Sequence, residues 1–382
     1  MKTILTVIGA RPQIIKAAAV SRAIREDFKG ELKEVLVHTG QHYDSSMSQI
    51  FIDQMGIPDP DINLNAGSGS HGKQTAFMLE KIEEQIDTLK PDGILVYGDT
   101  NSTLAAALAA SKMHIPVIHV EAGLRSFNKR MPEEINRIGC DHVSTMLFSP
   151  TAAGIANLAN ENFNLDSVPP FSIDSPAVYH SGDVMFDNSL YFSKISETNS
   201  TILDDLELRG QNFILSTIHR PSNTDSKERL ERLMETLLEI SEESKIPVIL
   251  PLHPRTKSKL EQFFSEGSLL TKLEKSEYFK FIPPCGFLDI IALEKNCSMV
   301  MTDSGGIQKE AYFFSKPCLV FRPQTEWVEI VQSGCARLVD SDPMKIKEGY
   351  EYFKNNSDLK FPSIFGNGKA AHFICDQLVK HL

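Results

Sequence analysis

Short runs of apolar, mostly β-branched residues alternate with longer amphipathic stretches through the first 160 residues. "TILTVIGA" leads into a helix from about Pro12 and "EVLVHTG" into "SSMSQIFIDQMG". "GILVYGD" leads into "NSTLAAALAASKM", "PVIHVEAG" into "EEINRIGCDHV", and "STMLFSP" into "TAAGIANLAN". Runs that stay apolar rather than alternating fit strands buried on both faces. The pattern therefore predicts a parallel sheet with helices on both sides, a doubly wound α/β domain.

The stretch "ENFNLDSVPPFSIDSPAVYHSGDVMFD" interrupts this rhythm with Pro, Ser, Asn and Asp. It reads as an interdomain connection plus one short strand, "AVYHSG". The rhythm then resumes. "NFILSTIH" precedes the amphipathic "SKERLERLMETLLEISEES", and "PVILPLH", "FKFIPP" and "CSMVMTDSGG" are further strands. The expected division is an N-terminal Rossmann-like domain over 1–173 and a C-terminal one over 174–365. A last helix, about 366–382, has no partner in its own stretch and is expected to pack back on the first domain. In open parallel sheets, ligands sit beyond the C-terminal strand ends, so those ends should form the walls of a central cleft.

Composition narrows the classes. The chain has 382 residues, 41% hydrophobic and 23% charged, which suits two soluble domains. The 50 acidic and 39 basic residues give a net charge of −11. A nucleic-acid partner is not expected, and an anionic ligand needs local cations and helix termini. No window approaches the roughly 20 apolar residues of a membrane span, and no secretory leader is seen, so a cytoplasmic protein is expected. Six scattered cysteines without a CxxC pair read as buried thiols.

Candidate chemistry gathers at strand ends. "GARPQIIK" places Arg11 and Lys16 around a helix start without a GxGxxG fingerprint. "TDSGGIQKEA" offers Ser304, Gly305 and Gly306 with free amides for a diphosphate, and Glu310 for a ribose diol. "YGDTNST" carries Asp99, which could equally cap the next helix. "HVEAGLRSFNKRMPEEINR" crowds Glu121, Glu133 and Glu134 among Arg125, Lys129, Arg130 and Arg137. "STIHRPSN" and "PLHPRT" add His219, Arg220, His253 and Arg255, the last pair reading as a turn. Metal-hydrolase spacings and a GxSxG elbow are missing, so no metal is expected.

Seven of these motifs, "GARPQIIK", "YGDTNST", "HVEAGLRS", "MPEEINR", "SGDVMFD", "TDSGGIQKEA" and "TEWVE", occur in the order found in the non-hydrolysing UDP-N-acetylglucosamine 2-epimerases, which the chain resembles from residue 9 to about 329. The resemblance implies a GT-B-type fold, two Rossmann-like domains with parallel sheets facing a central cleft. It also implies a homodimer, a UDP-sugar substrate, no cofactor and a role in surface polysaccharide precursors. Asp99, Glu121, Glu133 and His219 match the family's acid–base and electrostatic residues. Arg11, Lys16 and Arg220 match its substrate cations, and Ser304, Gly305, Gly306 and Glu310 its uridine diphosphate site. Arg125 and Arg137 are expected to fix Glu121 and Glu133 by ion pairs. Gln41 and His42 resemble part of an allosteric site in some members.

Departures from the usual motifs include Ala10 and Gln13 for Thr and Glu, a shorter "RSFNKRMPEE" loop, and "HRPSN". These look like the branch acting on UDP-2,3-diacetamido-2,3-dideoxy-glucuronate, which stays open as an alternative. A GT-B glycosyltransferase is the further alternative.

Overall fold

In a computed structural model of the chain, the described residues are 1–41, 58–264, 269–356 and 358–382; of Arg11, only the backbone is described. The stretch "SSMSQIFIDQMG", expected as a helix, and His42 lie outside the described residues. The chain divides into two compact units: Met1–Asn188 with Ser363–Leu382, and Ser189–Pro362.

The first unit holds seven strands: β1 (Lys2–Ile8), β2 (Leu32–His38), β3 (Ile62–Asn63), β4 (Gly93–Tyr97), β5 (Val117–Val120), β6 (Met146–Ser149) and β7 (Ala177–His180). Their order is β3-β2-β1-β4-β5-β6-β7, parallel throughout. β4, β5 and β6 are buried along their whole length, which is why they read as unbroken apolar runs. The strand "AVYH", expected to open the second domain, is instead β7, hydrogen-bonded to β6. The Pro-rich stretch before it thus belongs to the first unit, and the boundary falls inside the helix Val184–Asn199. Proline content marked a surface connection there, but the strand's hydrogen-bond partner decides its domain.

The second unit holds β8 (Ile214–Thr217), β9 (Val248–Pro251), β10 (Phe279–Ile282), β11 (Met299–Thr302), β12 (Cys318–Val320) and β13 (Ala336–Leu338), ordered β10-β9-β8-β11-β12-β13 and parallel. Leu230, Leu233, Met234 and Leu237 of the helix Lys227–Ser244 join Val248, Leu250 and Met301 in its core. Those helical positions recur every three or four residues, the spacing of a single buried face.

Both sheets run outward from their first strand and then reverse, the Rossmann order. The reversal lies between β1 and β4 in the first unit and between β8 and β11 in the second. Crossover helices leave such a point in opposite directions, so the backbone after each flanking strand opens a crevice.

The helix Ala370–His381 packs on the helix Arg11–Glu26, with Phe28 edge-on to His372 at 4.8 Å. Its first amides, of Ala370 and Ala371, donate to the Asp187 carboxylate at 3.1 and 2.8 Å. Leu382 presses against Gly93, where any side chain would collide with it and Ile118.

Candidate active site

The residues following β1, β4 and β5 build the first cluster. After β1 the chain turns into the helix Arg11–Glu26, with Pro12 in its first turn. Gly9 directly follows β1. In the structure its missing side chain makes room for the hydroxyls of Ser102 and Thr39. Gln13 explains its own departure from glutamate. Its Oε1 accepts from the amides of Gly9 and Ala10 at 2.9 and 3.1 Å, while its Nε2 donates to Tyr97 O and Thr103 Oγ1 at 3.0 and 2.9 Å. A carboxylate could make the first pair but not the second. Gln13 thereby bolts the β1 turn to the β4 turn.

Asp99 follows β4. Thr100, not Asp99, caps the helix Asn101–Lys112, accepting from Thr103 N. The aspartate is left to point elsewhere, and it meets Arg137. Burial pushes its carboxyl above the usual range; Arg137 opposes this, and Glu121 and Glu133 add to it. Asp99 therefore feels the charge of both acids.

Glu121 follows β5 at a φ of +76°, a left-handed conformation unusual for a residue with a side chain. Its amide and that of Ala122 both donate to Phe148 O, at 3.0 and 3.1 Å. Its carboxylate pairs with Lys16, and both side chains are about seven-eighths buried at 12% and 14% exposure. Lys16 is thus the counter-ion of Glu121.

Glu133 stands exposed in the first turn of the helix Pro132–His142. Its neighbour Glu134 is the buried one, accepting from the amides of Ser126 and Phe127 at 2.8 and 2.9 Å. The ion pairs expected around these residues are rearranged. Arg137 meets Asp99 and, at 3.6 Å, Glu134, rather than Glu133. Arg125 does not reach Glu121; it pairs with Asp141 and Glu161, each at 2.7 Å. Helix spacing alone allows either partner, Glu134 three residues and Glu133 four residues before Arg137, and the contact made is with Glu134. Lys129 and Arg130 are exposed on the loop.

In the second unit the residues after β8 and β11 face one buried acid, Asp303. Its carboxylate accepts from the amides of His219 and Arg220 at 3.1 and 2.9 Å and from Asn223 Nδ2 at 3.1 Å. His219 Nδ1 lies 3.3 Å from the same carboxylate. Burial lowers the His219 imidazole; Asp303 opposes this, and Arg220 and His253 add to it. A neutral ring that donates from Nδ1 toward Asp303 leaves Nε2 with its lone pair. Arg220 is exposed at the start of the short helix Pro221–Thr224. Asp303 lies within "TDSGGIQKEA", where nothing in the sequence marks its role. Only the fold shows that it orders the His219 turn. "HPRT", expected as a turn, begins the helix Pro254–Phe263, with Pro254 in the first turn, where its missing amide costs nothing.

Ser304 caps the helix Gly305–Phe313. Gly305 admits Glu326, itself held by Arg322 at 2.9 Å, while Gly306 is exposed and could carry a side chain without collision. The first-turn amides have no partner within the helix, as an anion site requires. Glu310 lies beside the fully buried Glu294. Burial pushes both carboxyls up, and Glu310 raises Glu294 further. Among the described residues no three of His, Cys, Asp and Glu converge as metal ligands. None of the cysteines is in a disulfide, and all but Cys285 are buried.

Two Rossmann-like units, with titratable groups gathered at one reversal point and an open helix start at the other, have the build of an α/β enzyme with an anion site. The model of the family described as UDP-N-acetylglucosamine 2-epimerase matches residues 23–379. A UDP-2,3-diacetamido-2,3-dideoxy-D-glucuronate 2-epimerase of Pseudomonas aeruginosa is 47% identical over 378 residues, covering 99% of both chains. A UDP-N-acetylglucosamine 2-epimerase homolog of Methanococcus maripaludis is 46% identical over 376 residues, 98% of this chain and 99% of the relative. The solved structure of Methanocaldococcus jannaschii UDP-GlcNAc 2-epimerase, in complex with UDP-GlcNAc and UDP, is 38% identical. It matches with a TM-score of 0.77 over 99% of both chains. The chain belongs to the UDP-N-acetylglucosamine 2-epimerase family and is an isomerase. No described helix is long and apolar enough to cross a membrane.

Proposed function

We propose that this protein inverts carbon 2 of a UDP-2-acetamido sugar, with UDP-N-acetylglucosamine as substrate, by eliminating and re-adding UDP. A carboxylate takes the proton from carbon 2. The bond from carbon 1 to the diphosphate oxygen breaks, and its electron pair leaves with UDP while carbons 1 and 2 become doubly bonded. UDP re-adds at carbon 1 as a proton returns to the opposite face of carbon 2. Two acid–base groups and cations for the leaving diphosphate are needed.

The observation that carries this reading is the pair of carboxylates Asp99 and Glu121 after β4 and β5, each on its own cation, with Asp99 raised further by the charges of Glu121 and Glu133. Interacting carboxyls titrate apart, so one is charged while another holds a proton. In this reading Asp99, Glu121 and Glu133 share the proton work with His219. Arg11, Lys16 and Arg220 steady negative charge. The amides of Gly305 and Gly306 with the Ser304 hydroxyl hold the diphosphate, the Ser304 amide itself being taken by Thr302 Oγ1 at 2.9 Å, and Glu310 holds the ribose. A cytoplasmic homodimer supplying precursors of surface polysaccharide belongs to the same reading.

A second substrate is favoured by the Pseudomonas aeruginosa relative and by the motif departures: UDP-2,3-diacetamido-2,3-dideoxy-glucuronate. Proton NMR in D₂O, without added NAD or metal, tests both. Loss of the carbon-2 proton signal with appearance of the manno isomer is expected with one of the two sugar nucleotides. Glu121→Gln should lose that exchange with its fold intact. Release of free sugar, or exchange with neither compound from protein that binds UDP, would overturn the proposal.

A further inference from the structure

The reaction just described makes no use of one buried ionic group. His119 lies on β5 with both ring nitrogens against oxygen atoms. Nδ1 is 2.7 Å from Asp141 Oδ1, and Nε2 is 2.8 Å from the carbonyl oxygen of Gly98. A carbonyl can only accept, and an ionised carboxylate can only accept. Both nitrogens therefore donate, and the ring is an imidazolium. Asp141 Oδ2 accepts in turn from the Gly123 amide at 3.1 Å and pairs with Arg125 at 2.7 Å. Arg125 closes on Glu161 with two bonds of 2.7 Å. Two cations and two anions balance, and the side chains of His119 and Asp141 are wholly buried.

Burial alone would push the imidazole down. Asp141, with Cys140 alongside, holds it well above its ordinary range. Burial would likewise raise the Asp141 carboxyl, but His119 and Arg125 hold it low. Replacing such a group by apolar side chains is often neutral or stabilising, so stability alone is a weak account of it.

What its two ends hold is more informative. The Gly98 carbonyl immediately precedes Asp99, and the Gly123 amide lies two residues after Glu121. Gly98, Glu121 and Gly123 have φ of +65°, +76° and +79°, so both turns are left-handed. Glu121 in that conformation is strained and persists only where its surroundings over-determine it. Asp141 therefore fixes the turn that carries Glu121. Through His119 the same carboxylate fixes the peptide that carries Asp99.

We propose that His119 and Asp141 are positioning residues that clamp the turns of Asp99 and Glu121 to one another, setting the spacing of two carboxylates across the reacting carbon. This rests on the reaction proposed above. Apart from Arg11 and Lys16, which the clamp does not touch, the nucleotide-binding groups lie on the other unit, so the clamp acts on turnover and not on nucleotide affinity.

The test uses His119→Asn and Asp141→Asn in the full chain, with folding checked by circular dichroism. Turnover should fall roughly 10- to 100-fold, as small misplacements of reacting groups cause. KM and the Kd for UDP should stay within about twofold, because uniform binding is untouched. A folded variant with near-wild-type kcat overturns the positioning role. So does a loss confined to KM. Nitrogen-15 NMR of the wild type, which survives any folding failure of the variants, should show both His119 ring nitrogens protonated at neutral pH. A neutral ring overturns the clamp as drawn. Carbon-2 exchange by the wild type separates the two ideas: without it the reaction fails, whereas with it and active variants only the clamp fails.

Discussion

At the scale of single residues, the molecule distinguishes carboxylates of the same type by their surroundings. Asp99 is drawn toward its protonated form by burial and by two acidic neighbours, and toward its charged form by Arg137. Removing that cation takes away the larger of the two opposing charges and leaves Lys16 alone against burial and the acidic neighbours. In Arg137→Gln, the limb of the pH profile of kcat/KM that Asp99 governs should move to higher pH. A profile superimposable on the wild type would remove Asp99 from the titrating groups of the reaction. Much of this layer could be read from the sequence, because Asp99, Glu121, His219 and Ser304 each follow a recognisable strand. The pairings could not. Arg125 sits four residues from Glu121 in the chain, yet its partners are Asp141 and Glu161, brought beside it by β6 and the helices that flank it. Nothing in "GCDHV" signals that its aspartate is the hub of a buried network, since that depends on which strand end the helix crosses.

Secondary-structure elements were legible where periodicity was strong. The apolar runs of β1, β4, β5 and β8 and the face of Lys227–Ser244 follow directly from pattern. The two-residue β3 and three-residue β12 and β13 are too short to carry a period and are defined by their neighbours. Residue type also misled at "HPRT", where proline opens a helix and does not stop one. The C-terminal helix offers a titratable test of its anchor. Asp187 accepts its first two amides, and burial pushes the carboxyl up to about 6. A carboxyl raised on folding stabilises the protein fully below about pH 4, its unfolded range. That contribution is lost as pH rises through about 6. Asp187→Asn keeps an acceptor and cannot ionise, so its Tm relative to wild type should be higher at pH 8 than at pH 4. An equal difference at both pH values would show that Asp187 is not raised.

For the whole molecule, two sheets with the same reversal divide the labour proposed here, with proton transfer after β4 and β5 and diphosphate binding after β11. UDP at about 100 times its Kd should add about 2.7 kcal/mol to the unit that holds it. Amide hydrogen exchange should slow most across 302–313 and 217–224 of the second unit. Slowing restricted to the first unit would reverse this assignment.

The helix Ala370–His381 completes the first unit but comes after the whole of the second in chain order. Synthesis on the ribosome runs from the N-terminus, and domains emerging first ordinarily fold first. Here the early unit must wait. Until its last segment is translated, the flank of Arg11–Glu26 and the surface at Gly93 lack their cover. The proposed proton-transfer machinery thus matures only after the nucleotide-binding half has been made, and a nascent chain stalled before residue 363 would hold an unfinished first unit.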